Sequence, residues 1–215
     1  MRSVRDYWDG CAADYDLEPD HGLRATATRA AWKNLLHAWL PRTPAVVADL
    51  ACGTGSLAQL CAELGHTVRA FDLSGEMVAR AREKNIGHGE RVAVEVADVS
   101  APPLSPASVD VVLARHVLWT LPEPHSALEA WVAAVAPGGR LLLVEGRWSA
   151  SGARPGTSEV REEGMPWDGG VTASELRSAT APLVARAEVH PLTDPLLWGR
   201  AVTDERYLLV ADVAP

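Results

Sequence analysis

Short apolar runs alternate with amphipathic helical patterns along most of this 215-residue chain. Runs such as VVADL (46–50) and RLLLVEG (140–146) have the length and the valine- or leucine-rich composition of buried strands. Between these runs, apolar positions recur every three or four residues, as they do on one face of a helix. The predicted strands are 46–50, 67–72, 91–98, 108–115, 140–146, 184–192 and 206–212, and the predicted helices are 27–40, 56–65, 74–85, 126–136 and 172–181.

This alternation predicts the fold class. Strands that alternate with helices form an open, mostly parallel sheet whose two faces are covered, because each crossover helix packs on the sheet. We therefore predict an α/β fold of the Rossmann-like, doubly wound type, with seven strands and helices on both faces. The last two strands have only a loop between them, so they should form an antiparallel hairpin at one edge. We expect a single domain over 1–215, made of an arm and a helix (1–44), a core (45–146) and a C-terminal segment on the substrate side (147–215).

Composition and charge exclude several classes of function. Apolar residues make up 47% of the chain and charged residues 22%, which is typical of a soluble globular protein. The net charge is −8, and the 18 arginines and two lysines are scattered, so no nucleic-acid partner is expected. The longest apolar runs are strand-sized, so neither a membrane span nor a secretion signal is expected. Three cysteines without a C-x-x-C pair indicate reduced thiols and a cytoplasmic location.

The stretch DLACGTGSLA (49–58) carries the first candidate chemistry. Gly53 and Gly55 allow the backbone to approach a ligand closely, and the helix that follows directs free N–H groups to the same place. The segment GTGSLA fits the G-x-G-x-x-A pattern of dinucleotide sites, and Asp72 closes the next strand where a ribose-binding carboxylate is expected. These residues indicate an adenosine-type ligand, but they do not separate NAD from S-adenosylmethionine.

Three features favour S-adenosylmethionine over a dinucleotide. Asp49 lies inside the turn, where a buried anion would repel a pyrophosphate but suits an ammonium group. A hydride-transfer enzyme of the short-chain type needs a Tyr-x-x-x-Lys pair, and neither Lys33 nor Lys84 follows a tyrosine by four residues. Asp98 ends the third predicted strand, where it is placed to accept a hydrogen bond from an adenine amino group.

Several ordered motifs resemble those of the class I S-adenosylmethionine-dependent methyltransferases, in particular the quinone-biosynthesis and small-molecule type. VVADLACGTG resembles the glycine-rich first motif, with Ala51 where a glycine is usual, and FDLSGEMVARAREK resembles the acidic motif of the second strand. VADVSAPPLSPASVDVVLARHVLW resembles the adenine-contacting segment and the fourth strand, and APGGRLLLVE resembles the turn into strand five. The resemblance covers roughly residues 5–146.

The resemblance implies a role for each matching residue. The arm YWDGCAADYD resembles an N-terminal helical lid that closes over the cofactor. The implied contacts are Tyr7 and Tyr15 in the lid, Asp49, Ala51 and Gly53 at the methionine portion, Arg115 near the methionine amino group, Asp72 at the ribose, Leu73 and Met77 on the adenine face, and Asp98 and Val99 at the adenine edge.

The resemblance also implies a reaction, which is methyl transfer from S-adenosyl-L-methionine by displacement at the methyl carbon. S-adenosyl-L-homocysteine would be the product. The sequence ARHVLWTLP stands where nucleic-acid base methyltransferases carry Asn/Asp-Pro-Pro-aromatic, so the expected acceptor is an O, N, S or C atom of a small aromatic or apolar metabolite. Two alternatives stay open, a cofactor-binding regulator without turnover and an NAD(P)-dependent oxidoreductase.

Candidate acceptor-site residues follow the strand ends and the late loops. His116 and His21 are the candidate bases, although His21 and Asp20 could equally cap the next helix. The segments 149–170 and 191–206 are expected to shape the pocket. No metal is expected, because no typical ligand spacing occurs. The candidate pocket residues are Trp119, Trp148, Trp167 and Trp198, which could instead cover the domain edge, and Glu145, which could instead lie at the surface.

Overall fold

A computed structural model describes residues 3–148 and 165–215 of the chain. Seven strands form one sheet in the order β3-β2-β1-β4-β5-β7-β6. The first five strands are parallel, and β7 runs antiparallel to both β5 and β6. The doubly wound fold and its antiparallel edge pair are thereby confirmed. The strands are β1 (Val46–Leu50), β2 (Thr67–Asp72), β3 (Val92–Val96), β4 (Val109–Arg115), β5 (Val135–Arg147), β6 (Arg186–Pro191) and β7 (Glu205–Asp212).

Helices flank the sheet and also build the N-terminal arm. The arm forms α1, a 3₁₀ turn at Tyr15–Leu17, and the short α2. The connection before the last strand holds one more short helix, α8, which begins at a proline and is followed by Gly199 at φ +65°. The helices are α1 (Val4–Cys11), α2 (Pro19–Gly22), α3 (Thr26–Trp39), α4 (Ser56–Glu63), α5 (Gly75–Asn85), α6 (Pro124–Ala134), α7 (Ala173–Thr180) and α8 (Pro195–Trp198).

Each face of the sheet has its own hydrophobic core. On one face, α3, α4, α5 and α8 cover the strands, and Trp32 of α3 is fully buried there. On the other face, α6 and α7 do so, and Trp131 of α6 is equally buried. Because both faces are covered, the central strands are apolar on both sides, which explains their continuous hydrophobic runs.

The largest difference from the predicted boundaries lies where α6 meets β5. Helix α6 ends at Ala134 rather than at 136, and β5 begins at once, five residues before the predicted start at 140. Val135 pairs with Val109, and the register shifts before Val111 pairs with Arg140. The strand therefore begins with an irregular segment, and the apolar pattern alone does not show such an irregularity.

The strand order reverses between β1 and β4, which are neighbours in the sheet but not in the sequence. In open α/β sheets the ligand crevice lies outside the carboxyl ends of the strands at such a reversal. Asp49 lies near the end of β1, Asp72 ends β2 and Arg115 ends β4. The fold therefore collects these three side chains at one edge.

Candidate functional site

A cavity of about 230 Å³ lies at this edge of the sheet. The arm contributes Val4, Trp8 and Tyr15 to its walls, and the strand ends, the segments that follow them, α5 and Met165 contribute the rest. A much smaller cavity of about 20 Å³ adjoins it and shares Tyr15, Ala51 and Arg115 as walls. Of the predicted cofactor residues, Tyr15, Ala51, Gly53, Asp72, Leu73, Met77, Asp98, Val99 and Arg115 line the larger cavity, and Asp49 lines the smaller one.

The glycine turn uses left-handed backbone at three positions. Ala51, Gly53 and Gly55 have φ values of +58°, +55° and +78°. A Cβ atom at Gly55 would lie 2.7 Å from Asn85 Nδ2 and 2.9 Å from Ala81 Cβ, so only glycine lets α4 approach α5 this closely. Ala51, where the resembling motif has glycine, holds a conformation that costs a residue with a Cβ roughly 1–2 kcal/mol.

Asp72 organises this turn from the end of β2. Its Oδ2 accepts a hydrogen bond of 2.8 Å from Gly53 N, and its Oδ1 accepts one of 2.9 Å from Ser74 N. Burial raises the pKa of this carboxyl, while the two backbone donors act in the opposite direction. A carboxylate has about four acceptor positions, so Asp72 can hold the turn and still accept bonds from a ligand in the cavity.

Asp49 is a buried carboxyl with an unsatisfied oxygen. It is 2% exposed, and its Oδ2 has no hydrogen-bond partner among the described residues. Burial raises its pKa to about 7, and the nearby Arg115 lowers the pKa only in part. A buried acceptor of this kind is costly unless it is paired, so the small cavity beside Asp49 is suited to a cationic donor.

Arg115 lies near enough to Asp49 for their charges to interact, and it is hydrogen-bonded to the arm. Its Nη1 donates a hydrogen bond of 2.5 Å to Asp20 O, and its guanidinium lies 5.0 Å from the centre of the Trp32 ring. The aromatic face and the carbonyl both stabilise a cation at this position. His21, next to Asp20, lines the smaller cavity and stacks on Tyr15 at 4.2 Å.

Two aspartates attach the arm to the core. Asp9 accepts hydrogen bonds from Ser74 Oγ at 2.5 Å and from Glu76 N at 3.2 Å, at the start of α5. Asp16 accepts one from the Thr54 hydroxyl and forms an ion pair with Lys84. The arm thus covers the cavity, as a lid would.

Trp8 is an arm residue at the cavity that the sequence analysis did not single out. Tyr7 does not line the cavity in the described structure, whereas Trp8 does, and Trp8 packs edge-on against Tyr15 and Trp119. Val4 and Trp8 are four residues apart on α1, so they share one helix face. That spacing is the signal in the sequence that could have identified Trp8.

His116 follows β4 directly and adopts a left-handed backbone, with φ at +56°. Its ring lines the cavity, stacks on Trp198 at 5.7 Å and meets Trp148 edge-on at 5.2 Å. Trp119 and Trp148 do not line the described cavity, but their rings lie 6.0 Å apart and connect His116 with Trp8. A row of packed aromatic rings, the aromatic wall, therefore continues from the arm to the late strands.

The structure corrects the expected positions of two pocket tryptophans. Trp198 is 1% exposed and belongs to the core, and its Nε1 donates to Leu192 O. Trp167 is also buried, against His125. Neither lines the cavity in the described part of the chain, because packing behind the site takes up both rings.

Glu145 is buried rather than at the surface or on the cavity wall. Its Oε1 accepts hydrogen bonds of 2.9 Å and 3.0 Å from the backbone N–H groups of Val117 and Leu118. Burial raises its pKa to about 7. Glu145 therefore holds the turn that presents His116 to the cavity.

Residues 3–148 and 165–215 contain neither a candidate metal site nor a candidate membrane-spanning helix. No group of three or more His, Cys, Asp or Glu side chains is placed there to hold a metal ion. No described helix has the length and apolar character needed to cross a membrane. Most of the predicted pocket segment 149–170 lies outside the described residues.

Residues 48–143 match the family model described as a methyltransferase domain. Among curated relatives, the ubiquinone biosynthesis O-methyltransferase of Xanthomonas euvesicatoria pv. vesicatoria is 31% identical over 140 residues, which are 64% of this chain and 54% of that protein. The chain spans about half the length of this relative.

Solved structures share the fold over nearly the whole chain. One comes from the complex between the Haloferax volcanii Trm112 methyltransferase activator and a putative methyltransferase, with a TM-score of 0.73, 23% identity and coverage of 99% of this chain and 98% of that chain. The [4+2]-cyclase SpnF has a TM-score of 0.75 at 17% identity, with 98% and 96% coverage. At such identities the likeness concerns the fold alone.

Proposed function

We propose that this chain, which carries the methyltransferase domain and the fold of the class I S-adenosylmethionine-dependent methyltransferases, transfers the methyl group of S-adenosyl-L-methionine to a small molecule. The acceptor is an O, N, S or C atom of an aromatic or apolar metabolite. The observation that carries the proposal is Asp49, a buried carboxyl that lies beside the glycine turn and has an unsatisfied oxygen. This feature matches a cationic amino-acid group and would repel a pyrophosphate.

The residues that line the two cavities fit the parts of the cofactor. Asp49 would take the ammonium group, and Arg115, as a guanidinium, is better suited to the carboxylate than to the amino group beside it. Asp72 would accept the ribose hydroxyls. Leu73 and Met77 would pack on the adenine, Asp98 and the Val99 backbone would contact its edge, and Gly53 and Ala51 would pass the methionine portion between the cavities.

When bound, S-adenosylmethionine supplies a methyl group made electrophilic by its sulfonium. The residues of this chain align the reactants and exclude water. Trp8 and Tyr15 cover the cavity from the arm, and His116 lies where the aromatic wall meets it. Of the two histidines considered as bases, His116 is the one on the larger cavity, while His21 lies on the methionine side.

The proposal also concerns location and partners. We assign the protein to the cytoplasm, which is supported by three cysteines that form no disulfide. Its proposed partner is a small-molecule acceptor, not nucleic acid. The arm (1–44) would act as lid, the core (45–146) would bind the cofactor, and the C-terminal segment (147–215) would contact the acceptor, all within one domain.

A binding screen followed by a transfer assay tests the proposal. S-adenosylhomocysteine should raise the melting temperature, and NADH and NADPH should not. The Asp49→Ala variant should lose most of this shift, whereas Asp14→Ala, at an exposed position of the arm, should keep it. Methyl transfer from labelled S-adenosylmethionine to a panel of phenols, amines, thiols and carboxylic acids then separates an enzyme from a binding protein without turnover. Stabilisation by NADH alone would contradict the proposal.

A further inference from the structure

Arg206, the second residue of β7, is a buried cation behind the acceptor side of the site. It is 6% exposed, and its Nε and Nη2 donate hydrogen bonds of 2.8 Å and 2.7 Å to the two carboxylate oxygens of Asp204. Its guanidinium also lies 5.3 Å from the centre of the Trp148 ring and 4.9 Å from that of Trp198. The bidentate pair and the two rings fix its orientation.

The remaining amino group of Arg206 faces His116. Nη1 lies 3.5 Å from Nε2 of the imidazole. A guanidinium has only donors and stays protonated at any ordinary pH. A neutral imidazole has one donor and one acceptor nitrogen, so Nε2 must be the acceptor here, and the single proton must be on Nδ1.

Packing restricts the rotation of the His116 imidazole. It is stacked on Trp198 with an interplanar angle of 8° and is edge-on to Trp148. The backbone that carries it is held by Glu145 through the N–H groups that follow His116. A rotation of the ring would have to displace a core tryptophan.

We propose that Arg206 is a positioning residue that keeps His116 neutral, with its proton on Nδ1 and its Nε2 as an acceptor. The charged groups that the described residues bring to this region are Arg206 with its partner Asp204, Glu145 on β5, which accepts from the N–H groups after His116, and Arg115, which precedes His116. Asp204 compensates the charge of Arg206, but Nη1 is the group that meets the imidazole. Protonation at Nε2 would place two donors against each other.

The tautomer of His116 limits which methyl acceptors can react, and this consequence rests on the proposed function. If His116 is held in this form, neither ring nitrogen can take a proton from the methyl acceptor. The acceptor must then be nucleophilic in the form that binds, as a carboxylate, an acidic phenol in its phenolate form or a neutral amine is. An alcohol that needs a protein base would be a poor acceptor.

The tautomer can be read directly by ¹⁵N–¹H correlation spectra of protein with ¹⁵N-labelled histidine, without donor or acceptor. The His116 signals are identified by their loss in His116→Gln. In the wild-type protein at pH 7.5 we expect the proton on Nδ1. In Arg206→Met we expect the Nδ1 preference to be lost and the proton affinity of the imidazole to rise at least tenfold.

Two further variants make the result decisive. Arg206→Lys keeps a cationic donor and should retain the Nδ1 proton, and Arg186→Met, which removes an exposed ion pair with Glu188 on β6, should change neither property of His116. A wild-type proton on Nε2, or an Arg206→Met spectrum equal to the wild type, would overturn the proposal. If Arg206→Met does not fold, the wild-type and Arg206→Lys spectra decide. Because no methyl donor is present, this outcome is independent of whether the protein transfers a methyl group.

Discussion

Asp16 in the N-terminal arm and Lys84 at the end of α5 form an ion pair, with 2.7 Å between Oδ2 and Nζ. The same ammonium group donates hydrogen bonds of 2.8 Å to the hydroxyls of Thr54 and Ser56, and Thr54 donates in turn to Asp16. The arm is therefore attached directly to the glycine turn and to the first residue of α4. The position of the arm and the shape of the glycine turn are physically coupled.

Removal of the Lys84 ammonium should weaken cofactor binding. In Lys84→Met the arm loses its attachment to the turn, so we expect the affinity for S-adenosylhomocysteine to fall by about 1 kcal/mol, roughly fivefold, since the pair is partly exposed. Isothermal titration calorimetry measures this change. Lys33→Met, which breaks an ion pair with Glu63 away from the site, is the control. Equal affinities for the two variants would show that the arm closes without Lys84.

Binding of S-adenosylhomocysteine should become tighter as the pH rises through about 7. The pKa of Asp49 is raised to about 7, and an ammonium ligand needs the ionised carboxylate, so binding releases a proton. Between pH 6 and pH 8 we expect roughly a tenfold gain in affinity. Calorimetry in two buffers with different ionisation enthalpies counts the released proton. Asp49→Asn should bind weakly at both pH values, and a pH-dependent Asp49→Asn would assign the effect to another group.

Asp72→Asn separates ligand binding from support of the turn. An amide oxygen can still accept from one of the two backbone N–H groups, so the fold should largely survive, while the bond to the ribose loses its charge assistance. We expect a loss of ~1.5–3 kcal/mol in binding free energy. Asp72→Ala should lose similar affinity and also some stability towards urea, because both backbone donors lose their acceptor. Unchanged affinity in both variants would place the ribose elsewhere.

Glu145→Gln should stabilise the protein at alkaline pH. The pKa of Glu145 is raised from 4.5 to about 7 in the folded state, so the folded protein binds the proton more tightly than the unfolded chain. The contribution of the protonated Glu145 to the free energy of unfolding is fully present below about pH 4.5 and is lost as the pH rises through 7. This contribution amounts to roughly 3 kcal/mol at most. Glutamine keeps an acceptor for Val117 and Leu118 without a charge. Urea unfolding at pH 5 and pH 8 should show the gain only at pH 8.

Trp8→Leu should weaken the lid. The ring lines the cavity and packs against Tyr15 and Trp119, so its loss should reduce the affinity for S-adenosylhomocysteine by ~1–2 kcal/mol. Trp39→Leu is the matched control, since Trp39 is also half-buried but packs against His190 away from the site. If the two variants bind equally well, Trp8 does not cover the cofactor.

Local patterns in the sequence are enough to predict the fold and most of the candidate cofactor site. Strand and helix periods are local, and the carboxyl ends of parallel strands meet at one edge, so the order of the strands already groups Asp49, Asp72 and Arg115. The resemblance to class I methyltransferases, confirmed by the match over 48–143, rests on motifs of contiguous residues. Such motifs depend on the backbone path of a single turn or strand.

Which side chains reach the cavity and which support it depends instead on packing between distant elements. Trp8 rather than Tyr7 lines the cavity, because the packing of α1 on the core selects one helix face. Trp198 is drawn into the core, and Arg206 meets His116 across 90 residues of sequence. Contacts of this kind depend on side-chain directions and on the packing of several elements at once. No local period in the sequence encodes how those elements pack together.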